Sequence, residues 1–204
     1  LGPDEVLLAD GTPVLVRPIT PDDAGALVAL HARLSADTIY RRYFGARPHL
    51  SPADVDRFTR VDGRARFALV AMRAPEAGAV AMRAPEAGAM VAVARYEGRP
   101  GGHSAELAVV VDDALQRSGL GRLMLRRLMD VAREAGQDEL VADVLVGNAA
   151  MLGLLRGLGL PRRIRSDGET VTVVLDLTHL MLSAGRRARA RAHLARAGVG
   201  EPSP

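Results

Sequence analysis

Between Glu106 and Leu160 the chain strings together elements in an order that few folds accommodate. An apolar strand, ELAVVV, meets the acidic pair Asp112 and Asp113, then the loop Gln116-Arg117-Ser118-Gly119-Leu120-Gly121, a long amphipathic stretch, a second strand and a short segment headed by Asn148. Gly119 and Gly121 remove side chains where backbone must approach a ligand, and the helix that follows opens with amides lacking any helical acceptor. Those amides and the helix dipole favour an anion, a phosphate above all. Leu120, Met124, Leu128, Val131 and Ala135 recur at helical spacing, so one face packs inward and makes the anion site rigid.

Two better-known glycine loops do not fit. A dinucleotide fingerprint wants a third glycine where Met124 stands, and it does not place Asp112 to Ser118 between strand and glycines. A Walker A loop ends in lysine, and all 27 basic residues here are arginine. Lysine-bound pyridoxal chemistry is excluded with it. By itself QRSGLG reads equally as an ordinary glycine turn before a helix. The five histidines, His31, His49, His103, His179 and His193, lack metal-ligand spacing, and without cysteine the common zinc frameworks are missing, so no metal is expected. No Gly-x-Ser-x-Gly elbow marks a serine nucleophile.

QRSGLG at 116–121 resembles the Gln/Arg-x-x-Gly-x-Gly/Ala signature of the GCN5-related N-acetyltransferase (GNAT) superfamily, and NAAMLGLLRGLGL at 148–160 is similar to its Asn-led helix. AELAVVVDDALQRSGLG with ADVLVGNAAML resembles most the catalytic domains of bacterial protein lysine acetyltransferases, as do DTIYRRYF and RFALVAM upstream. The resemblance spans roughly residues 13 to 177. It implies an α/β (α+β) fold: a mixed, mostly antiparallel sheet with a splayed central strand pair and flanking helices. It implies acetyl-coenzyme A as co-substrate, held by Val109, Val110 and Val111 along its pantetheine arm and by Gln116, Arg117, Ser118, Gly119, Leu120 and Gly121 at its pyrophosphate. Arg122 is a further phosphate candidate or a solvated arginine. Asn148 either reaches the cofactor arm or simply caps its helix.

With no cysteine there is no acetyl-cysteine intermediate, so the amine attacks the thioester directly while both substrates are bound. A lysine amine, with pKa about 10.4, needs a base, and Glu106, on the strand that would line the acetyl group, is the candidate. Partial burial would raise its pKa toward a useful range. His103 is the alternative base. Two departures from the family pattern stand out: Arg117 and Ser118 replace the usual Gly-Arg, and Leu155 occupies the position where relatives carry a tyrosine that protonates the leaving thiolate. The resemblance favours a protein acceptor with an exposed lysine, in that family often an acyl-coenzyme A synthetase. A small amine, or a non-catalytic acyl-coenzyme A sensor, are the other readings.

The 204 residues, 48% of them hydrophobic, suffice for one domain with a real core, assigned to 1–178. Residues 179–204 form an Arg-rich tail without aromatic side chains, so nucleic acid is not an expected partner. No apolar run spans a membrane and no secretory leader is read, which points to the cytoplasm. TPDD at 20–23 and SPAD at 51–54 mark helix starts. PVLVRPI predicts a first strand; helices follow over 22–34, near 36–44 and over 52–61, and the resemblance implies that the last two wall an acceptor groove, where Tyr40, Arg41, Arg42, Tyr43 and Phe44 either shape substrate choice or pack, packing being the expectation for Tyr43 and Phe44. AMRAPEAGA, repeated at 71–79 and 81–89, reads as a lengthened loop between strands, and 170–177 as the closing strand.

Overall fold

Each polar cap at 20 and 51 starts a helical segment. The Thr20 amide and hydroxyl both donate to the Asp23 carboxylate, which also accepts two hydrogen bonds from the Arg17 guanidinium at 2.8 and 2.6 Å. Ser51 and Asp54 exchange the reciprocal bonds of a capping box. The computed structural model describes residues 2–74, 88–99 and 101–179. Within them lie β1 (Asp4–Leu7), β2 (Pro13–Pro18), α1 (Ala24–Arg33), α2 (Ala36–Tyr43), α3 (Pro52–Thr59), β3 (Arg66–Arg73) and β4 (Met90–Gly98). There follow β5 (Ser104–Val111), α4 (Leu120–Glu134), β6 (Glu139–Leu145), α5 (Ala149–Arg156), β7 (Arg162–Asp167) and β8 (Thr170–Asp176). The Arg-rich tail from 180 onward and most of the tandem repeat lie outside the described residues; the first copy contributes Ala71–Arg73 to the end of β3.

The strands form one sheet in the order β1-β2-β3-β4-β5-β6-β8-β7, antiparallel throughout except for β5 beside β6. That one parallel pair is short. Ser104, Ala105 and Glu106 face Glu139, Leu140 and Val141; beyond Glu106, β5 stays on β4 as far as Val111 while β6 continues on β8 to Leu145. The mixed sheet with a splayed central pair is therefore present as expected. β1 and β7 were not anticipated. Both are edge strands rich in charge, and every residue of β7 is exposed, so neither carries the apolar alternation by which strands are read.

Each face of the sheet has its own core. On one side α4 and α5 cover Leu107, Leu140, Val144 and Leu175 with Leu120, Met124, Leu125, Leu128 and Leu155; on the other, α1 closes Leu27 and Leu30 over Ala68, Val70 and Met90. The buried face of α4 is rotated from the sequence expectation. Leu125, Met129 and Ala132 are fully buried, whereas Val131 and Ala135 are half-buried at its margin.

One carboxylate ties the two sides together at the end of β5. Asp113 accepts from the Ser35 amide (2.8 Å), the Ser35 hydroxyl (2.9 Å) and the Thr38 hydroxyl (2.6 Å), so it holds the N-terminus of α2. The Gln116 amide group donates to both Thr38 Oγ1 and Asp113 Oδ1, each at 3.1 Å, joining the glycine loop to the same knot. Asp112 caps Ala114 and pairs with Arg33 at the end of α1. Burial pushes the Asp113 carboxyl up, but the Thr38 and Ser35 hydrogen bonds outweigh it and hold the group below its ordinary value. Its contribution to stability is complete above the ordinary carboxylate range and disappears as pH falls through the depressed value. We expect Asp113→Ala to cost about 1 kcal/mol at neutral pH, as loss of a capping carboxylate does. In thermal denaturation the gap between wild type and variant should hold at neutral pH and narrow as pH falls below the ordinary carboxylate range.

Candidate active site

The separation of β5 from β6 leaves backbone groups of β5 without a strand to bond. Asp112 donates its amide to Val91, so in the alternation of an antiparallel ladder Val110 also bonds β4, and Val109 and Val111 turn their amides and carbonyls into the gap. Of the three valines expected to present backbone there, two do; Val110 instead sends its side chain into the core under α1. The gap opens into a cavity of about 610 Å³ lined by β5 from Glu106 to Val111, the glycine loop, the start of α4, and residues of α2, β6 and α5.

At one end of this cavity the loop turns into α4. Arg117 lies at φ 64° and Gly119 at φ 91°, the left-handed region in which glycine is at ease and arginine is strained. The Gly-Arg to Arg-Ser departure thus places an arginine where a glycine would fit the backbone. Its side chain is exposed on the cavity wall. The Ser118 hydroxyl donates to Leu115 O at 2.7 Å and accepts from the Leu120 amide at 3.4 Å, so it stabilises the loop from within. Leu120 is a fully buried core side chain and has only backbone near the site. Gly121 sits in a tight place: a Cβ there would stand 3.3 Å from the Leu154 side chain, which would have to give slightly, and 3.7 Å from Val111. The first amides of α4 lack helical acceptors, the feature that suits a helix N-terminus to an anion. Arg122 lines the cavity and reaches toward the end of α5, where a Cβ on Gly157 would sit 2.7 Å from its guanidinium.

Asn148 caps α5 by accepting from the Met151 amide at 3.1 Å, and it also lines the cavity. From α5 the cavity receives Ala150, Met151 and Leu154, all apolar. Leu155 is 1% exposed and belongs to the core, so α5 offers the cavity no proton donor.

Glu106 stands at the head of the gap, the last β5 residue paired with β6. The expected partial burial is not found: Glu106 is exposed, and among the described residues no hydrogen bond or ion pair holds its carboxylate. Its cross-strand neighbour Glu97 is bound by Arg57, whose Nε lies at 3.0 Å. His103, the alternative base, lies elsewhere. It contacts Gly136 O and Asp138 and lines a different cavity with Asp62, Arg64 and Gln137.

The wall facing β5 was partly misjudged from sequence. Tyr43 packs as expected, its ring edge-on to His31 at 5.7 Å between the guanidiniums of Arg42 and Arg47. Phe44 does not: it ends α2 at φ 58°, is 43% exposed and lines the cavity. Nothing local in the sequence signals the link from Asp113 to Ser35 and Thr38, more than seventy positions away, nor Arg95 near Glu106; Arg42 belongs to the helix expected either to shape substrate choice or to pack, and it lines the cavity. Among the described residues no helix is long and apolar enough to cross a membrane.

The family model for the acetyltransferase (GNAT) domain matches residues 14–161. Acetyltransferase PA5475 of Pseudomonas aeruginosa is 30% identical over 166 residues, 81% of this chain and 84% of the relative. The GNAT domain of S. lividans PAT superposes with a TM-score of 0.72 at 32% identity, covering 85% of this chain and 96% of that one. The fold also matches yncA of Salmonella typhimurium, solved with acetyl-CoA, at a TM-score of 0.61 and 21% identity, over 80% and 94% of the two chains. A β5–β6 gap, a glycine loop entering α4 and a capped α5 thus coincide with a family match over most of the chain, which belongs to the GNAT acetyltransferases.

Proposed function

We propose that the protein transfers acetyl from acetyl-coenzyme A to a primary amine by direct attack with both substrates bound, the acceptor being the ε-amine of a lysine on another protein. The observation that carries this reading is the opening of β5 from β6 immediately after Glu106, which puts a free carboxylate, unpaired backbone and a helix N-terminus along one cavity. The residues present suit the donor. The amides opening α4 and the Arg117 charge suit its pyrophosphate, and the Val109 and Val111 backbone suits its amide-bearing arm. The protein acceptor is supported by likeness to the S. lividans PAT domain along nearly all of that chain.

In this mechanism Glu106 takes the proton from the acceptor amine as its nitrogen bonds to the acetyl carbonyl carbon. The carbon–sulfur bond then breaks, its electron pair leaving with sulfur. Because α5 supplies no donor, coenzyme A departs as thiolate; a thiol with pKa about 8.5 leaves in that form at modest cost near neutral pH. Ala150, Met151 and Leu154 keep that side of the cavity apolar.

Glu106→Gln is expected to bind acetyl-coenzyme A normally in calorimetry yet lose about 100-fold or more in kcat. The rising limb of its pH–rate profile should vanish; a profile identical to wild type would remove Glu106 from the chemistry. Arg117→Gly should leave stability within about 1 kcal/mol, since relief of the left-handed arginine offsets the entropy of glycine. It should weaken acetyl-coenzyme A binding severalfold and flatten its dependence on salt, which titrations at two ionic strengths would read.

A further inference from the structure

The groove beside Glu106 contains more positive charge than the structure neutralises. Arg95 projects from β4 on the Glu106 face, opposite Ala108 and two pairs along from the Glu97–Glu106 pair. Its guanidinium lies 3.9 Å over the Phe58 ring, and its nearest carboxylate, Glu97 at 3.8 Å, is already engaged more closely by Arg57. Arg42, from α2, lines the cavity with Glu106 and is stacked 4.8 Å over Tyr43. Among the described residues Arg42 has no ion-pair partner. Burial pushes Arg95 down to about 10, and repulsion from Arg42 adds to that against the pull of Glu97 and Glu106; burial lowers Arg42 as well, again against Glu106, so two carboxylates face Arg42, Arg57 and Arg95. Two guanidiniums held against aromatic rings, partly desolvated and repelling each other, are stabilised when an anion arrives between them.

Their position decides what that anion belongs to. Diagonal neighbours on adjacent strands lie roughly 7 to 8 Å apart, well within the reach of an arginine side chain, so a group held by Arg95 sits close to an amine at Glu106. We propose that Arg42 and Arg95 form a carboxylate-binding subsite, so that the protein prefers acceptors bearing a carboxylate beside the reacting amine. The subsite rests on the acetyl-transfer reading for the amine's location. Its carboxylate has two sources: an acidic residue flanking a lysine, or the α-carboxylate of a free amino acid.

The test uses the whole chain with three pairs of probes. A lysine peptide flanked by glutamates is compared with the same peptide flanked by glutamines, one flanked by arginines with one flanked by alanines, and a free L-amino acid with its carboxamide. Each is titrated calorimetrically into protein saturated with coenzyme A and assayed with acetyl-coenzyme A. The carboxylate member should bind about tenfold or more tightly and react with a correspondingly higher kcat/KM, and arginine flanks should be the poorest. In Arg42→Gln and Arg95→Gln, each checked for retained acetyl-coenzyme A binding, that preference should shrink toward unity. Preference in the peptide pair identifies a side-chain source, preference in the amino-acid pair an α-carboxylate. Equal binding within every pair overturns the subsite whether or not turnover occurs. Preferential binding without turnover keeps the subsite and sinks the catalytic reading.

Discussion

The candidate site depends on a parallel strand pair that stops early. Three residues of β5 face β6 before the two strands part, and the consequences are chemical as well as topological. Backbone amides and carbonyls that would have bonded a neighbouring strand are left for a ligand, since a buried polar group needs a partner of some kind. The parting is enforced from both sides. β5 stays in register with β4 through Val111, and β6 stays in register with β8 through Leu145, so neither strand can bend back without breaking an antiparallel ladder.

The second device is the knot at Asp113, which makes one unit of the glycine loop and the helix that walls the other side of the cavity. A loop with two left-handed residues in four is prone to wander; tying it through Gln116 and Thr38 limits that freedom. The strain at Arg117 is thus held by hydrogen bonds outside the loop's own backbone. The glycine loop and the start of α2 are fixed together.

The central segment was legible because its signals are local. Alternation in ELAVVV, glycines before an amphipathic run, and an asparagine three residues ahead of the amide it caps are all read within a few positions. What escaped reading is what distance assembles. β1 and β7 have no apolar alternation and exist through pairing with β2 and β8. Phe44 resembles a packing aromatic until the left-handed end of α2 turns it outward. Glu106 was identified, but the arginines near it come from α2, α3 and β4, which sequence spacing does not relate. His103 is three positions from Glu106 and belongs to another cavity, a reminder that proximity along a strand's entry loop says little about proximity in space.

The edge strand β7 carries Arg162, Arg163 and Arg165, all exposed, with Arg163 reaching across to Glu139. A sheet rim is a template for any passing extended chain, whose backbone could continue the ladder and begin an aggregate. Here an incoming strand would have to displace water from three guanidiniums held along the rim. Charge at that rim disfavours a ninth strand, so the eight-stranded sheet ends at β7 by repulsion as well as by length.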